Sequence, residues 1–191
     1  MKTFITTLAV LFITSISVLA QEKWDGKTCS YTNHNWHFHW NLDQNLEWEL
    51  NQGNEKHTVF KAVSPYGLMA YVNINPHSIA EQKDWDFWDH FEDYKNILKI
   101  SWDKVAERTG GEVIPIKIEK CRFFGEHAVK VIVKNKIKDD VHDETSYGYT
   151  YTFHKDGATW SASAMVSPEI WNLVGESGIK EIFLNFGPNA K

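Results

Sequence analysis

The stretch Asn33-His34-Asn35-Trp36-His37-Phe38-His39-Trp40 sets three histidines among three aromatics. Imidazole nitrogens bind zinc, and two histidines spaced two apart on one face of a strand reach the same ion. Read as a strand, the stretch sends Trp36, Phe38 and Trp40 to one face and Asn35, His37, His39 and Asn41 to the other. His37 and His39 are therefore the candidate zinc ligands. A zinc site needs a third and usually a fourth donor, and no spacing supplies one; His34, His57 and His142 are the candidates. Without such a donor the aromatic face is core and the histidine face a polar exterior.

Other chemistry-bearing patterns are weaker. Asp139-Asp140-Val141-His142-Asp143-Glu144 offers oxygens for a hard cation, but the spacing and central glycine of a calcium loop are missing, so it reads as a solvated hairpin loop. Ser101-Trp102-Asp103-Lys104 and Ser177-Gly178-Ile179-Lys180 both fit serine-x-x-lysine, without companion motifs. Gly26-Lys27-Thr28 mimics the end of a phosphate loop, yet Gln21 stands where its first glycine belongs. Neither a zinc-protease helix motif nor a nucleophile elbow is present. Glu126 and His127 are adjacent at the start of a strand, where consecutive side chains diverge, and no acid–base pair is assigned.

Positioning these groups requires helices and strands. Phe87, Trp88, Phe91, Tyr94, Leu98, Trp102 and Val105 recur at helical spacing, which predicts an amphipathic helix over 84–109, with Asp84, Asp86 and Asp89 at its N-terminus and Gly110-Gly111 as its stop. Trp85 lies far from that apolar arc. It is either a partner-binding anchor or packing beneath the loop 76–83. A second helix follows Ser167-Pro168, buries Ile170, Trp171, Val174, Ile182, Phe183 and Phe186, and is expected to break near Gly175 and Gly178. Short β-branched and aromatic runs predict strands near 36–41, 46–50, 57–63, 68–74, 113–121, 127–135, 147–154 and 158–166. In the clearest, Tyr147, Tyr149, Tyr151 and Phe153 share a face before Lys155-Asp156-Gly157 turns the chain back.

Residues 1–20 place one lysine before an apolar run ending Val18-Leu19-Ala20, the pattern of a secretory signal cleaved before Gln21. The expected product is secreted or periplasmic. No cysteine directly follows that run, which argues against lipid anchoring, and no later segment is long and apolar enough to span a bilayer. Loss of Lys2 moves the formal charge from −5 to −6, against nucleic-acid binding. Residues 21–35 read as an N-terminal extension and 36–191 as a single domain, long enough to bury about 70% of its unfolded surface. Export favours a Cys29–Cys121 disulfide over two buried thiols.

Two helices and a largely antiparallel sheet, with strands apolar on both faces, predict an α+β fold: a three-layer α/β/α sandwich with one long helix mid-chain and one at the C-terminus. The order of Leu46-Glu47-Trp48, Thr58–Ala62, Met69–Pro76, a long helix, Gly125–Val131, Tyr149–Gly157 and Ile182–Phe186 resembles the PsbP-like superfamily, which includes an extrinsic photosystem subunit and a Ran-binding nuclear-import factor. The resemblance covers roughly residues 36–186 and is one of topology and turns; Asn185-Phe186 departs from the serine-phenylalanine common there. It implies a binding or assembly role without catalysis. The expectation is a secreted or periplasmic non-enzymatic protein that binds a protein or small-molecule ligand. The alternatives are a zinc-binding protein using His37 and His39, or a hydrolase with an unrecognised site.

Overall fold

The computed structural model describes residues 22–51, 56–76, 85–138 and 143–189. The signal segment, Asp84 and the stretch Asp139–His142 lie outside them. The described chain runs β1 (Glu22–Asp25), β2 (Ser30–Asn33), β3 (Phe38–Asn41), a 3-10 turn (Gln44–Leu46), β4 (Glu49–Leu50), β5 (Thr58–Ser64), β6 (Leu68–Asn75), α1 (Phe91–Thr109), β7 (Glu112–Phe123), β8 (Glu126–Lys138), β9 (Asp143–Lys155), β10 (Ala158–Val166), α2 (Pro168–Glu181) and β11 (Phe186–Pro188).

The strands form two antiparallel sheets. The larger has the order β4-β5-β6-β10-β9-β8-β7 and the smaller β1-β2-β3-β11. Two-residue turns set the register of the long strands: Phe124-Gly125 joins β7 to β8 and Asp156-Gly157 joins β9 to β10. All four of these residues have φ between 51° and 83°, the left-handed pair that matches strand twist. Phe124 holds this costly conformation because its ring packs on Phe153, Trp160 and Phe186.

Alternation along each strand splits the larger sheet into two faces. Tyr149, Tyr151, Phe153, Trp160, Val72 and Phe60 face the main core, which they share with Phe38 and Trp40 of the small sheet and Phe183 beyond α2. Each large apolar side chain buried here contributes about 1.5–3 kcal/mol. The opposite face buries Val129 and Val131 of β8 beneath Phe87 and Tyr94. Thus α1 covers one face, and the small sheet together with α2 covers the other. A bare helix on each face, as expected of the sandwich, is not what this chain builds. The reason lies in residues 22–33: Tyr31 and Asn33 are wholly buried, and the Tyr31 hydroxyl donates to the Val59 carbonyl at 2.7 Å. The expected N-terminal extension is an integral part of the core.

Both helices differ from expectation in their ends. The Asp86 carboxylate accepts from the backbone N–H groups of Trp88 and Asp89, at 2.7 and 3.3 Å, and holds 87–90 as a turn, so α1 begins at Phe91 instead of 84. Gly110, at φ 62°, stops it as anticipated. Ser167 caps α2 by accepting from the Ile170 N–H, and Gly175 adopts φ 62°, ψ −166°, the anticipated break. Val174 is partly exposed, and Phe186 belongs to β11.

Candidate functional site

The histidine stretch is a hairpin, not one strand. Asn33 pairs with Phe38, and residues 34–37 form a four-residue loop whose last member, His37, has φ 53°. That left-handed twist takes His37 off the strand, so the period-two logic that aligned it with His39 fails. His37 is exposed, while half-buried His39 lies opposite Gly187 of β11. Among the described residues, no three His, Cys, Asp or Glu side chains converge on a point where a metal ion would sit. His142 lies outside them.

Cys29 repeats the geometry of His37. It ends the four-residue loop between β1 and β2 at φ 47°, and its buried Sγ lies 3.8 Å from the Gly26 carbonyl. Cys121 sits on the edge strand β7. Both are free thiols, so the expected bridge is not formed. Each is held by its own turn or ladder at a different margin of the core. Burial pushes the Cys121 thiol upward, against the charge of Lys130, and a protonated thiol is a poor nucleophile.

Trp85 precedes α1 instead of lying on it. Its ring stacks on His90 at 4.1 Å and meets Phe87 edge-on at 6.4 Å, within the cluster under α1. Residues 77–83 of the loop it is expected to underlie are outside the described residues, and its buried Nε1 has no hydrogen-bond partner among those described.

The structure joins two groups that sequence spacing left apart. His127 Nδ1 lies 2.7 Å from Asp86 Oδ2, and Arg122 reaches His127 Nε2 at 3.2 Å. Guanidinium nitrogens only donate, so Nε2 accepts and the proton resides on Nδ1, which donates to Asp86. Burial opposes the Asp86 charge, but hydrogen bonds from the Trp88 N–H and from His127 outweigh it and hold the carboxyl below its ordinary range. An Asp–His pair suggests a general base, yet here the free imidazole lone pair is taken by Arg122 and the ring is covered by Trp88 at 3.8 Å. Trp88 Nε1 in turn donates to the Cys121 and Ala128 carbonyls. The group is a latch fastening the entry to α1 onto the sheet edge.

On the core face, Lys130 is nearly buried and pairs with Glu119 and, at 2.7 Å, with Glu176 of α2. Lys117 joins Glu176 at 3.1 Å. Burial alone would lower the Lys130 pKa, but hydrogen bonds to the two carboxylates outweigh it and raise it. Those bonds to Lys130 hold both glutamates below their usual range. Glu176 directly follows the break at Gly175, so the kink delivers the carboxylate to the sheet. Two cations against two anions leave no surplus charge for a ligand.

What remains open is the sheet face beside α1. The connection from central β6 to edge strand β7 carries α1 over β7 and β8, with Tyr94 reaching Thr152 of β9; among the described residues Thr150, Ser161, Asn73 and Tyr71 stay partly exposed, while Thr152 and Ser163 are buried. Register places Thr150, Ser163 and Tyr71 in one cross-strand row, and Thr152, Ser161, Asn73 and Thr58 in the next. The Thr150 and Ser163 hydroxyls are 3.0 Å apart, those of Thr152 and Ser161 3.4 Å, and Thr58 donates to Asn73 Oδ1 at 2.7 Å. Tyr94, Leu98 and Trp102 of α1 wall this floor, enclosing about 310 Å³. Burial pushes the Tyr94 hydroxyl up to about 12, so it is protonated throughout the physiological range. A neighbouring hollow shares Asn73 and Ser161 and adds Lys56, His57 and Thr159, whose buried hydroxyl has no partner among the described residues. In the sequence the aromatic alternate positions of these strands stand out, and the floor is signalled only by the intervening series Gly148, Thr150, Thr152 and Thr159, Ser161, Ser163.

No family model matches the chain, and no curated protein is recognisably similar in sequence. Among solved structures, it is similar to the solution structure of cyanobacterial PsbP (CyanoP) from Synechocystis sp. PCC 6803. The TM-score is 0.55 at 12% identity, over 83% of this chain and 91% of that one. The chain therefore has a PsbP-like fold, and at this identity the likeness concerns fold alone.

Proposed function

We propose that this is an exported, non-enzymatic binding protein whose ligand seat is the groove between α1 and the adjoining half of the seven-stranded sheet. One observation carries the reading: beside and beneath α1 the described residues form a polar floor without charged side chains, walled by Tyr94 and Trp102. Its volume is at the lower end of the roughly 300–1,000 Å³ common for ligand sites. The absence of catalysis is supported by the chemistry of the reactive groups, since the His127–Asp86 pair has its second imidazole nitrogen engaged by Arg122 and the Cys121 thiol is pushed toward its protonated form. Export is supported by the character of residues 1–20, and N-terminal sequencing of protein recovered from the envelope should begin at Gln21; an intact Met1 would remove that part of the reading.

Binding is tested by following backbone amide shifts of the mature chain against a library of small polar fragments. Hits should move the resonances of Asn73, Ser161 and Trp102 and vanish in Ser161→Phe, which fills the floor. Turnover of any substrate by the purified protein, or hits that gather elsewhere and ignore Ser161→Phe, would overturn the proposal. The zinc reading, with His37 and His39 as ligands, has no third donor among the described residues and stands below it.

A further inference from the structure

Resting on the groove just proposed as the ligand seat, we infer that its ligand is a neutral, polyhydroxylated molecule, of the class of a short uncharged oligosaccharide. Charged residues make up 24% of the chain, yet among the described residues none lines the groove. Among the described lining residues an anionic ligand would find no cation, Lys56 lying in the adjoining hollow, and it would be repelled by a protein of net charge −5. A cationic one would find no carboxylate among them.

Polarity excludes the opposite extreme. Thr150, Ser161, Ser163, Asn73 and Asn135 present hydroxyl and amide groups to the groove. Each hydroxyl donates once and accepts twice; Thr152 also bonds the Tyr94 hydroxyl and Ser163 is buried, so the partly exposed Thr150 and Ser161 are the ones that keep a lone pair or proton for a guest. A lipid chain laid on this floor would strip water from these groups and return nothing, at about 1–3 kcal/mol for each one left unpaired. A sugar returns hydroxyls that both donate and accept. The orphaned Thr159 hydroxyl, where the groove opens into the next hollow, extends the same chemistry by one more position.

The aromatic wall completes the match. A pyranose ring has apolar C–H faces and a polar rim. Trp102 and Tyr71 are only partly buried and flank the hydroxyl floor, so a ring resting on either presents its edge to the serines and threonines.

The test applies the mature chain to an immobilised panel of uncharged oligosaccharides of glucose, mannose, galactose and N-acetylglucosamine, with sialylated and phosphorylated glycans, a fatty acid and neutral peptides in parallel. The strongest neutral glycan is then titrated by calorimetry while groove amide resonances are recorded. At least one neutral glycan should bind with millimolar or better affinity, its charged counterparts more weakly. Trp102→Ala should weaken it about ten-fold, the worth of one good ring contact. Asn73→Asp keeps the acceptor for Thr58 while placing a charge in the floor; it should weaken neutral glycans by a similar factor and guards against misfolding of the tryptophan variant. If a lipid, peptide or charged probe shifts the groove resonances and no neutral glycan does, the ligand class is wrong and the groove stands as the seat. If no probe shifts them, both fail. Glycan binding indifferent to both substitutions also overturns the inference.

Discussion

The two faces of the seven-stranded sheet are made by the same strands and differ in almost everything else. Along β9 and β10, alternate residues Tyr149, Tyr151, Phe153 and Trp160 enter a closed aromatic core, while their neighbours Thr150, Thr152, Ser161 and Ser163 form a polar floor of uncharged side chains, Thr150 and Ser161 partly exposed. A period of two lets one strand do both. The contrast teaches that cohesion is concentrated on one side, which frees the other to carry groups chosen for contact.

Four measurements test this contrast. Trp160→Ala should cost most. The side chain is fully buried against Phe38, Phe124 and Phe153, and its removal is expected to lower unfolding free energy by about 3–5 kcal/mol in urea titration. A cost below about 1 kcal/mol would show that cohesion does not reside on that face.

Lys130→Met comes next, at about 1–2 kcal/mol, because it leaves Glu119 and Glu176 facing each other, though both carboxylates keep enough exposure to soften the loss. Its pH signature is directional. Both glutamates are held below their ordinary 4.5, so their contribution is complete above that value and is lost as pH falls through the lower folded values. Lys130 is shifted above 10.5, so its contribution is full below that and lost only in stronger alkali. The thermal midpoint should therefore drop on the acid side below about pH 4.5, and less steeply in Lys130→Met. An unchanged acid slope would dissociate the cluster from stability.

The paired change Thr150→Val with Ser163→Ala removes both partners of a hydroxyl pair and should alter stability by no more than about 1 kcal/mol while abolishing ligand binding in the groove. Equal damage to stability and binding would mean the floor is merely core. Smallest of all, His37→Ala with His39→Ala should leave zinc titration by calorimetry unchanged, with no heat of binding tighter than millimolar in either form. A stoichiometric site lost in the double variant would revive the metal reading.

How much of this was legible depended on whether the deciding interaction was local. The β9–β10 hairpin was readable because ring alternation and Asp156-Gly157 act within a few residues, and the break at Gly175 because backbone freedom is written in the residue type. The twist at His37 was not, since nothing in a histidine announces a left-handed φ. The start of α1 was misread because Asp86 bonds back to the chain and across to His127, 41 residues away. The floor went unseen for another reason: serine and threonine on alternate positions look like any wet surface until a helix is known to overhang them.

The order of strands carries a consequence for how the molecule comes into being. Central β6 lies against β10, whose partners Ala162–Val166 pair with Leu68–Val72, so the middle of the sheet joins segments about ninety residues apart. A chain emerging amino end first holds β5 and β6 with an unsatisfied border until residue 166 has arrived, and contacts of such span form slowly. The seam at the centre is thus late to close, followed by the pairing of β11 with β3, and a cut between Asp156 and Ser167 leaves a raw β-edge exposed to whatever is nearest.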